Sequence, residues 1–222
     1  MTSTPFSARP VGGPLVVLDA DSTLIREEAI ELLAEAAGCR DDVAAITERA
    51  MRGEIDFAAS LRERVAALVN LDVTAFAAVR ARMTPTTGIT QLVSGVHAAG
   101  GAVGVVSGGF HELLDPLAEH LQLDFCRANR LAVSGGKLTG LVAGPLVDAT
   151  AKANTLAEWA AARGIPLSQT VAIGDGANDL QMLARAGLGV AFCAKPIVRK
   201  SADVIVDKPD LSHVLAAMGL SG

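Results

Sequence analysis

The chain contains no tyrosine, a single tryptophan and six phenylalanines, so aromatics make up 3% of its 222 residues. So few rings argue against recognition of nucleic acid by stacking on bases. Positive charge is not in excess either. The net charge of -5 offers no bulk attraction to nucleic acid or to an anionic membrane. Cysteine is scarce: Cys39, Cys126 and Cys193 are far apart and odd in number. That pattern predicts reduced core thiols rather than a disulfide framework or a zinc site. No segment offers a clean apolar run of about 20 residues, as a membrane-spanning helix requires. Thr2 to Pro14 is rich in Pro, Gly and Ser and lacks an apolar signal core, so residues 1–13 are expected to be a flexible lead-in. A soluble, cytoplasmic chain is expected. Charged residues are only 19% while half of all residues are hydrophobic, which excludes disorder and supplies a core for one domain, or one domain with a sizeable insertion.

What is present centres on Asp19-Ala20-Asp21-Ser22-Thr23. Leu15-Val16-Val17-Leu18 directly before it reads as a strand buried on both faces. A buried strand that ends in two carboxylates separated by one residue is costly unless a metal, a cation or a shared proton offsets their charge. The alternative is a loop whose aspartates cap the next helix, which Ser22 or Thr23 could also do.

Four helical stretches follow, at Glu27–Ala37 and roughly Asp41–Arg52, Asp56–Val69 and Val73–Met83, with no strand pattern among them. This block reads as a helical insertion. Then come a helix over Ile89–Ala99, an apolar strand over Ala102–Val106 ending in Ser107-Gly108-Gly109-Phe110, and a helix over His111–Leu121. Leu131–Val133 and Lys137–Val142 form a hairpin. A helix starting near Thr150 carries Lys152. The strand Thr170–Ile173 ends in Gly174-Asp175-Gly176-Ala177-Asn178-Asp179, a helix runs to about Ala186, and strands at Leu188–Ala191 and Val204–Val206 complete the alternation. Strands alternating with helices imply a parallel sheet with right-handed crossovers.

Three strands thus end in small, polar, glycine-bearing loops, and in a parallel sheet those ends share one edge. With Lys152 they supply carboxylates, one cation, one hydroxyl and accessible backbone N–H groups. Hard oxygen ligands beside a lysine suit magnesium and a phosphoryl group rather than zinc or a redox metal. A carboxylate is a competent nucleophile toward phosphorus, and a second carboxyl group can protonate the leaving oxygen and then take a proton from water.

The ordered set Asp19-Ala20-Asp21-Ser22-Thr23, Ser107-Gly108-Gly109-Phe110, Lys152 and Gly174–Asp179 resembles the four motifs of haloacid-dehalogenase-type phosphatases. Within that superfamily the chain is similar to the phosphoserine phosphatases. The resemblance runs from about Leu15 to Leu215. It includes Glu28, Met51, Arg52-Gly53, Phe57 and Ser60-Leu61-Arg62-Glu63-Arg64-Val65, and continues into Ala191–Pro196. It implies an α/β fold with a Rossmann-like parallel sheet and helices on both faces. The catalytic core would comprise 14–26 and 84–222, with a helical cap over about 27–83 whose closure excludes water.

The same resemblance implies magnesium-dependent hydrolysis of O-phospho-L-serine to L-serine and phosphate, the last step of serine biosynthesis, through an aspartyl-phosphate on Asp19. Asp21 is then the general acid/base. Ser107 and the Gly108 amide hold phosphate oxygens, and Lys152 neutralises phosphoryl charge. Magnesium is held by the Asp19 side chain, the Asp21 main-chain carbonyl and Asp175. Asn178 and Asp179 support this site, and Asn178 also counts among the substrate-binding residues. Arg64 takes the substrate carboxylate and Glu28 its ammonium, with Met51 and Phe57 as apolar lining. Two departures stand out. Ala20 occupies a position that is usually bulky in the family, and the short N-terminus leaves no room for the regulatory domain that some members carry ahead of the core.

Each residue also has a plainer reading. Glu28 suits the positive start of a helix, Arg64 a solvated helix face, Lys152 alone a surface position, and Asp179 a cap. The histidines show no ligand spacing, so His111 reads as a bystander despite adjoining the Ser107 loop; Lys195 and Arg199 lie at the site edge at most. A phosphotransferase that passes the phosphoryl group to an alcohol is compatible with the same motifs. A receiver-type signalling domain also uses aspartate, Ser/Thr and lysine, but it is much shorter and lacks a helical cap.

Overall fold

The first strand, β1 (Leu15–Leu18), is the axis of the fold and is shielded from solvent along its whole length. A computed structural model describes residues 13–220, so the expectation of a flexible lead-in falls almost entirely outside the described residues. Side chains of β1 alternate between faces. Val16 and Leu18 join the hydrophobic cluster on one side of the sheet, while Leu15 and Val17 join the cluster on the other. An apolar strand without polar alternation needs such double cover, and helices provide it.

From β1 the chain enters α1 (Ala29–Ala37), α2 (Arg40–Met51), α3 (Phe57–Ala67) and α4 (Ala75–Arg80). It returns through α5 (Ile89–Ala98) to β2 (Ala102–Phe110), then α6 (His111–His120), β3 (Phe125–Ser134) and β4 (Lys137–Ala143). The remainder is α7 (Ala149–Ala162), β5 (Thr170–Gly174), α8 (Leu180–Arg185), β6 (Leu188–Phe192), α9 (Pro196–Arg199), β7 (Val204–Val206) and α10 (His213–Ala217). The strands form one seven-stranded sheet in the order β4-β3-β2-β1-β5-β6-β7. Every neighbouring pair is parallel except β3 with β4.

The chain fills the sheet on one side of β1 first and returns later to its other side. Strand order therefore reverses at β1, and loops leaving β1, β2 and β5 diverge around a crevice. Register brings them level: Leu18 pairs with Val105 on one side and Ile173 on the other. The predicted parallel sheet with helices on both faces is the observed fold.

Differences from the sequence reading have local causes. The expected helix over Val73–Met83 shrinks to α4 because tight three-residue turns flank it: Ala75 N–H donates to Asp72 and Met83 N–H to Arg80. The strand expected to stop at Val106 continues through the glycines to Phe110. The first hairpin strand starts at Phe125 rather than Leu131, because its early half pairs in parallel with β2 before turning to β4. That hairpin is also tied to the helical block. Asn70 N–H donates to Leu138 (2.9 Å), Leu138 N–H to Leu71 (2.9 Å) and Val73 N–H to Gly136 (3.0 Å).

All three cysteines are free; Cys39 and Cys126 are half-buried and pack against the hydrophobic core, whereas Cys193 is exposed and is not the core thiol expected. His111 is a structural residue: its Nε2 accepts from Ala128 N–H and its Nδ1 meets Asp115 at 2.6 Å. Among the described residues no helix is long and apolar enough to cross a membrane.

Candidate active site

The turn after β1 is wide. Ile25 N–H donates to the Ala20 carbonyl (2.9 Å), closing a five-residue π-type loop, and Ser22 takes a left-handed conformation with φ of 56°. Such bulges concentrate at functional sites. Ala20 lies fully inside the core, and this anchors the turn. Asp19 and Asp21 both face a cavity of about 700 Å³. Asp19 is nearly buried and uses Oδ1 for two contacts, accepting from Ala20 N–H (2.7 Å) and pairing with Lys152 Nζ (2.7 Å). Asp21 accepts from Ala29 N–H through Oδ1 at 2.9 Å. Burial, followed by the charge of Glu28, pushes the Asp21 carboxyl up to about 7, against the Ala29 hydrogen bond.

Lys152 sits in the first turn of α7, whose start is capped by Asp148 accepting from Ala151 N–H (2.8 Å). Its side chain is 1% exposed and reaches Asp19 and Asp179 at 2.7 and 2.8 Å, so the surface reading fails. Burial alone opposes its charge, but the two carboxylates outweigh burial and hold it above the usual lysine range. Asp179 does more than cap a helix. It is fully buried, with Oδ1 on Lys152 and Oδ2 accepting from Gly176 N–H (3.1 Å). Gly174 makes room for it, since a Cβ there would lie 2.4 Å from the Asp179 carboxylate.

Asp19, Asp175 and Asp179 bring one oxygen each within 4.8 Å of one another. Burial and the charge of Asp179 raise the Asp19 carboxyl well above its ordinary value, despite Lys152, and raise Asp175 to about 6. Asp19 and Asp179 share the Lys152 ammonium and Asp175 feels the charge of Lys195, yet the Asp19 and Asp175 carboxyls stay raised, which leaves negative charge to balance. An all-oxygen donor set suits a hard divalent cation. The residues therefore fit a divalent metal. Asp179 joins a cluster that the sequence reading built from Asp19, Asp21 and Asp175.

Across the crevice, Ser107 is fully buried and its Oγ accepts from Gly109 N–H (2.8 Å), which leaves the hydroxyl proton to donate elsewhere. Phe57 at the start of α3 lies over the loop, and a Cβ on Gly108 would stand 3.1 Å from its ring. Glu28 is exposed at the cavity wall and accepts from Ser22 Oγ (3.0 Å). Arg64 is half-buried, and among the described residues its side chain makes one hydrogen bond, from Nε to the Ser60 carbonyl (3.3 Å). Burial lowers its pKa, while Glu28, Asp21 and Glu31 act in the other direction. Asn178 and Met51 also line the cavity, Met51 at 80% exposure and so at its mouth.

The cavity thus gathers Asp19, Asp21 and Asp175 with Glu28, Met51, Phe57 and Arg64 in one space, while Ser107 and Lys152 are buried. Lys195, left at the edge by the sequence reading, lines it too; its N–H donates to the Asp175 carbonyl (3.0 Å). Ser60 was missed as a separate residue. It lines the cavity with a buried Oγ that has no hydrogen-bond partner among the described residues, and its place one turn before Arg64 was the available signal.

Known proteins resemble the chain in sequence and in fold. A family model described as haloacid dehalogenase-like hydrolase matches residues 16–184. The phosphoserine phosphatase of Streptococcus thermophilus is 52% identical over 201 residues, covering 90% of this chain and 94% of that protein. The phosphoserine phosphatase of Streptomyces coelicolor is 54% identical over 207 residues, but the chain spans only 50% of its length. A solved structure of a phospho-aspartyl intermediate analogue of phosphoserine phosphatase superposes with a TM-score of 0.86 at 43% identity, covering 92% of this chain and 98% of that one.

Proposed function

The chain belongs to the haloacid dehalogenase-like hydrolases, and from that premise we propose that it hydrolyses O-phospho-L-serine to L-serine and phosphate. The activity fits the last step of serine biosynthesis in the cytoplasm. The observation that carries the reading is one cavity lined by two chemically distinct sets of groups: paired aspartates, with a buried lysine on Asp19, and a carboxylate, Glu28, with a guanidinium, Arg64. A phosphoryl group fits the first set. A zwitterion with one carboxylate and one ammonium fits the second.

Asp19 attacks phosphorus, forming an aspartyl-phosphate as the ester P–O bond breaks. Asp21, with its carboxyl held near neutrality, gives its proton to the departing serine oxygen. Asp21 then takes a proton from water, whose oxygen attacks phosphorus and breaks the bond to Asp19, and phosphate leaves. Lys152 and Ser107 hold phosphoryl oxygens, with the Gly108 amide, so that charge is met where it develops. Magnesium is the metal we assign to Asp19, Asp175 and the Asp21 carbonyl, with Asp179 in support; bound there, it supplies Lewis-acid stabilisation of the phosphoryl oxygens. Met51 and Phe57 cover the substrate and exclude water.

A panel of small phosphomonoesters, assayed with and without magnesium, tests the reading. Phosphoserine should be the preferred substrate, with phosphate and serine released at equal rates; phosphate release that required an alcohol acceptor would instead make the protein a phosphotransferase. Arg64→Ala should lower kcat/KM for phosphoserine about 10- to 100-fold, the worth of a charge-assisted pair. It should leave an aryl phosphate nearly untouched, because that substrate has no carboxylate. Equal losses on both substrates would remove Arg64 from specificity.

A further inference from the structure

We propose that Asn129 is a positioning residue for catalysis, locking the phosphate-facing loop of β2 to the start of the helix that carries Lys152. The inference rests on the reading of Ser107, Gly108 and Lys152 as the groups that hold the phosphoryl oxygens. It begins with a mismatch in the sheet. Between Val106 and Phe110 β2 advances four residues, while its partner β3 advances only two, from Arg127 to Asn129. Ser107, Gly108 and Gly109 therefore bulge out of the ladder, which cannot pair all of their main-chain groups.

Asn129 makes up the difference with its side chain. It is 1% exposed, its Nδ2 donates to the Gly108 carbonyl at 2.8 Å, and its Oδ1 accepts from Val147 N–H at 2.9 Å. One partner offers only an acceptor and the other only a donor, so the orientation of the amide is fixed by chemistry. A peptide unit is planar, so pinning the Gly108 carbonyl also orients the Gly109 N–H. That N–H donates to Ser107 Oγ and thereby aims the remaining hydroxyl proton. On the other side, Val147 precedes Asp148, the cap of α7, and Lys152 follows one turn later. A single buried amide thus joins the two segments whose groups are assigned to one phosphoryl group. Misplacement of either by a fraction of an ångström weakens charge stabilisation in the transition state.

The test uses Asn129→Asp, which keeps the size and the acceptor for Val147 but turns an oxygen toward the Gly108 carbonyl, and Asn129→Ala, which removes both arms. Kinetics with phosphoserine are compared with competitive inhibition by inorganic phosphate and by L-serine, together with thermal unfolding. We expect Asn129→Asp to lower kcat and weaken inhibition by phosphate, each about 10- to 100-fold. Inhibition by L-serine should stay at the wild-type value, because the cap residues are untouched. Unchanged kcat and phosphate inhibition in a folded Asn129→Asp protein overturns the inference, as does a uniform loss on phosphate and serine alike. Failure of both variants to fold assigns Asn129 a purely structural role and also overturns it. A wild-type protein that neither hydrolyses phosphoserine nor responds to phosphate refutes the functional reading itself, a result distinguishable from all of these.

Discussion

Asp19→Asn should abolish turnover of every phosphomonoester, with kcat falling by about 10⁴-fold or more, as loss of a nucleophile does elsewhere. The fold should survive. Oδ1 of Asp19 accepts from Ala20 N–H and pairs with Lys152, and an asparagine carbonyl in the same place can accept both hydrogen bonds. The substitution also removes one negative charge from a site where Asp19 and Asp179 crowd a single ammonium; burial first, and then the charge of Asp179, raise the Asp19 carboxyl there. In chelator, the midpoint of thermal unfolding should therefore hold or rise. Steady-state kinetics and calorimetry check both halves. More than about 1% of wild-type turnover in a folded variant would exclude Asp19 as the attacking group.

Lys152→Met should show the opposite pattern, losing stability as well as activity. The methionine fills similar space, but two buried carboxylates lose the ammonium that each meets at under 3 Å. Breaking a buried ion pair from one side costs about 3–5 kcal/mol, because the remaining charge stays desolvated. For a domain of this size that corresponds to a fall of roughly 10 °C in Tm.

The sign of the pH dependence follows from the same groups. Burial and neighbouring carboxylates already raise the Asp19 carboxyl against the pull of Lys152; without Lys152 its folded-state pKa lies further above that of the unfolded chain, so the folded protein binds more protons as pH falls. The deficit should thus be largest above the raised pKa and shrink as pH is lowered through it. Adding Asp179→Asn to Lys152→Met should recover part of the stability and none of the activity. A Lys152→Met protein as stable as wild type at neutral pH would show that the carboxylates find other compensation.

Much of this was legible in one dimension. Leu15–Leu18 announces a doubly covered strand because four apolar residues in a row leave no face for water. Glycine-bearing polar loops after three such strands announce an edge where ligands bind. Two helices of the block after β1 were readable from their apolar faces, through Ile30, Leu33, Ala34 and Ala37 and through Phe57, Leu61, Val65 and Leu68, and the family motifs supplied the assignment of Glu28 and Arg64. Sequence misjudged α4, whose ends are tightened by turns, and the start of β3, which changes partner along its length.

Other features have no local signature. Nothing around Lys152 distinguishes it from a surface lysine, since its burial depends on Asp19 and Asp179, which are distant in sequence. Asn129 looks like any polar residue in a strand until the bulge in β2 leaves the Gly108 carbonyl in need of a donor. The attachment of the hairpin to the helical block is a matter of main-chain bonds to Asn70, Leu71 and Val73, which no side-chain pattern records. By itself the sequence determined which segments are buried, where the chain turns and which groups are candidates for chemistry, because periodicity and residue type report local preference. Tertiary structure alone decided which charges share a desolvated space and which backbone groups need a side-chain partner, because both depend on segments brought together only by folding.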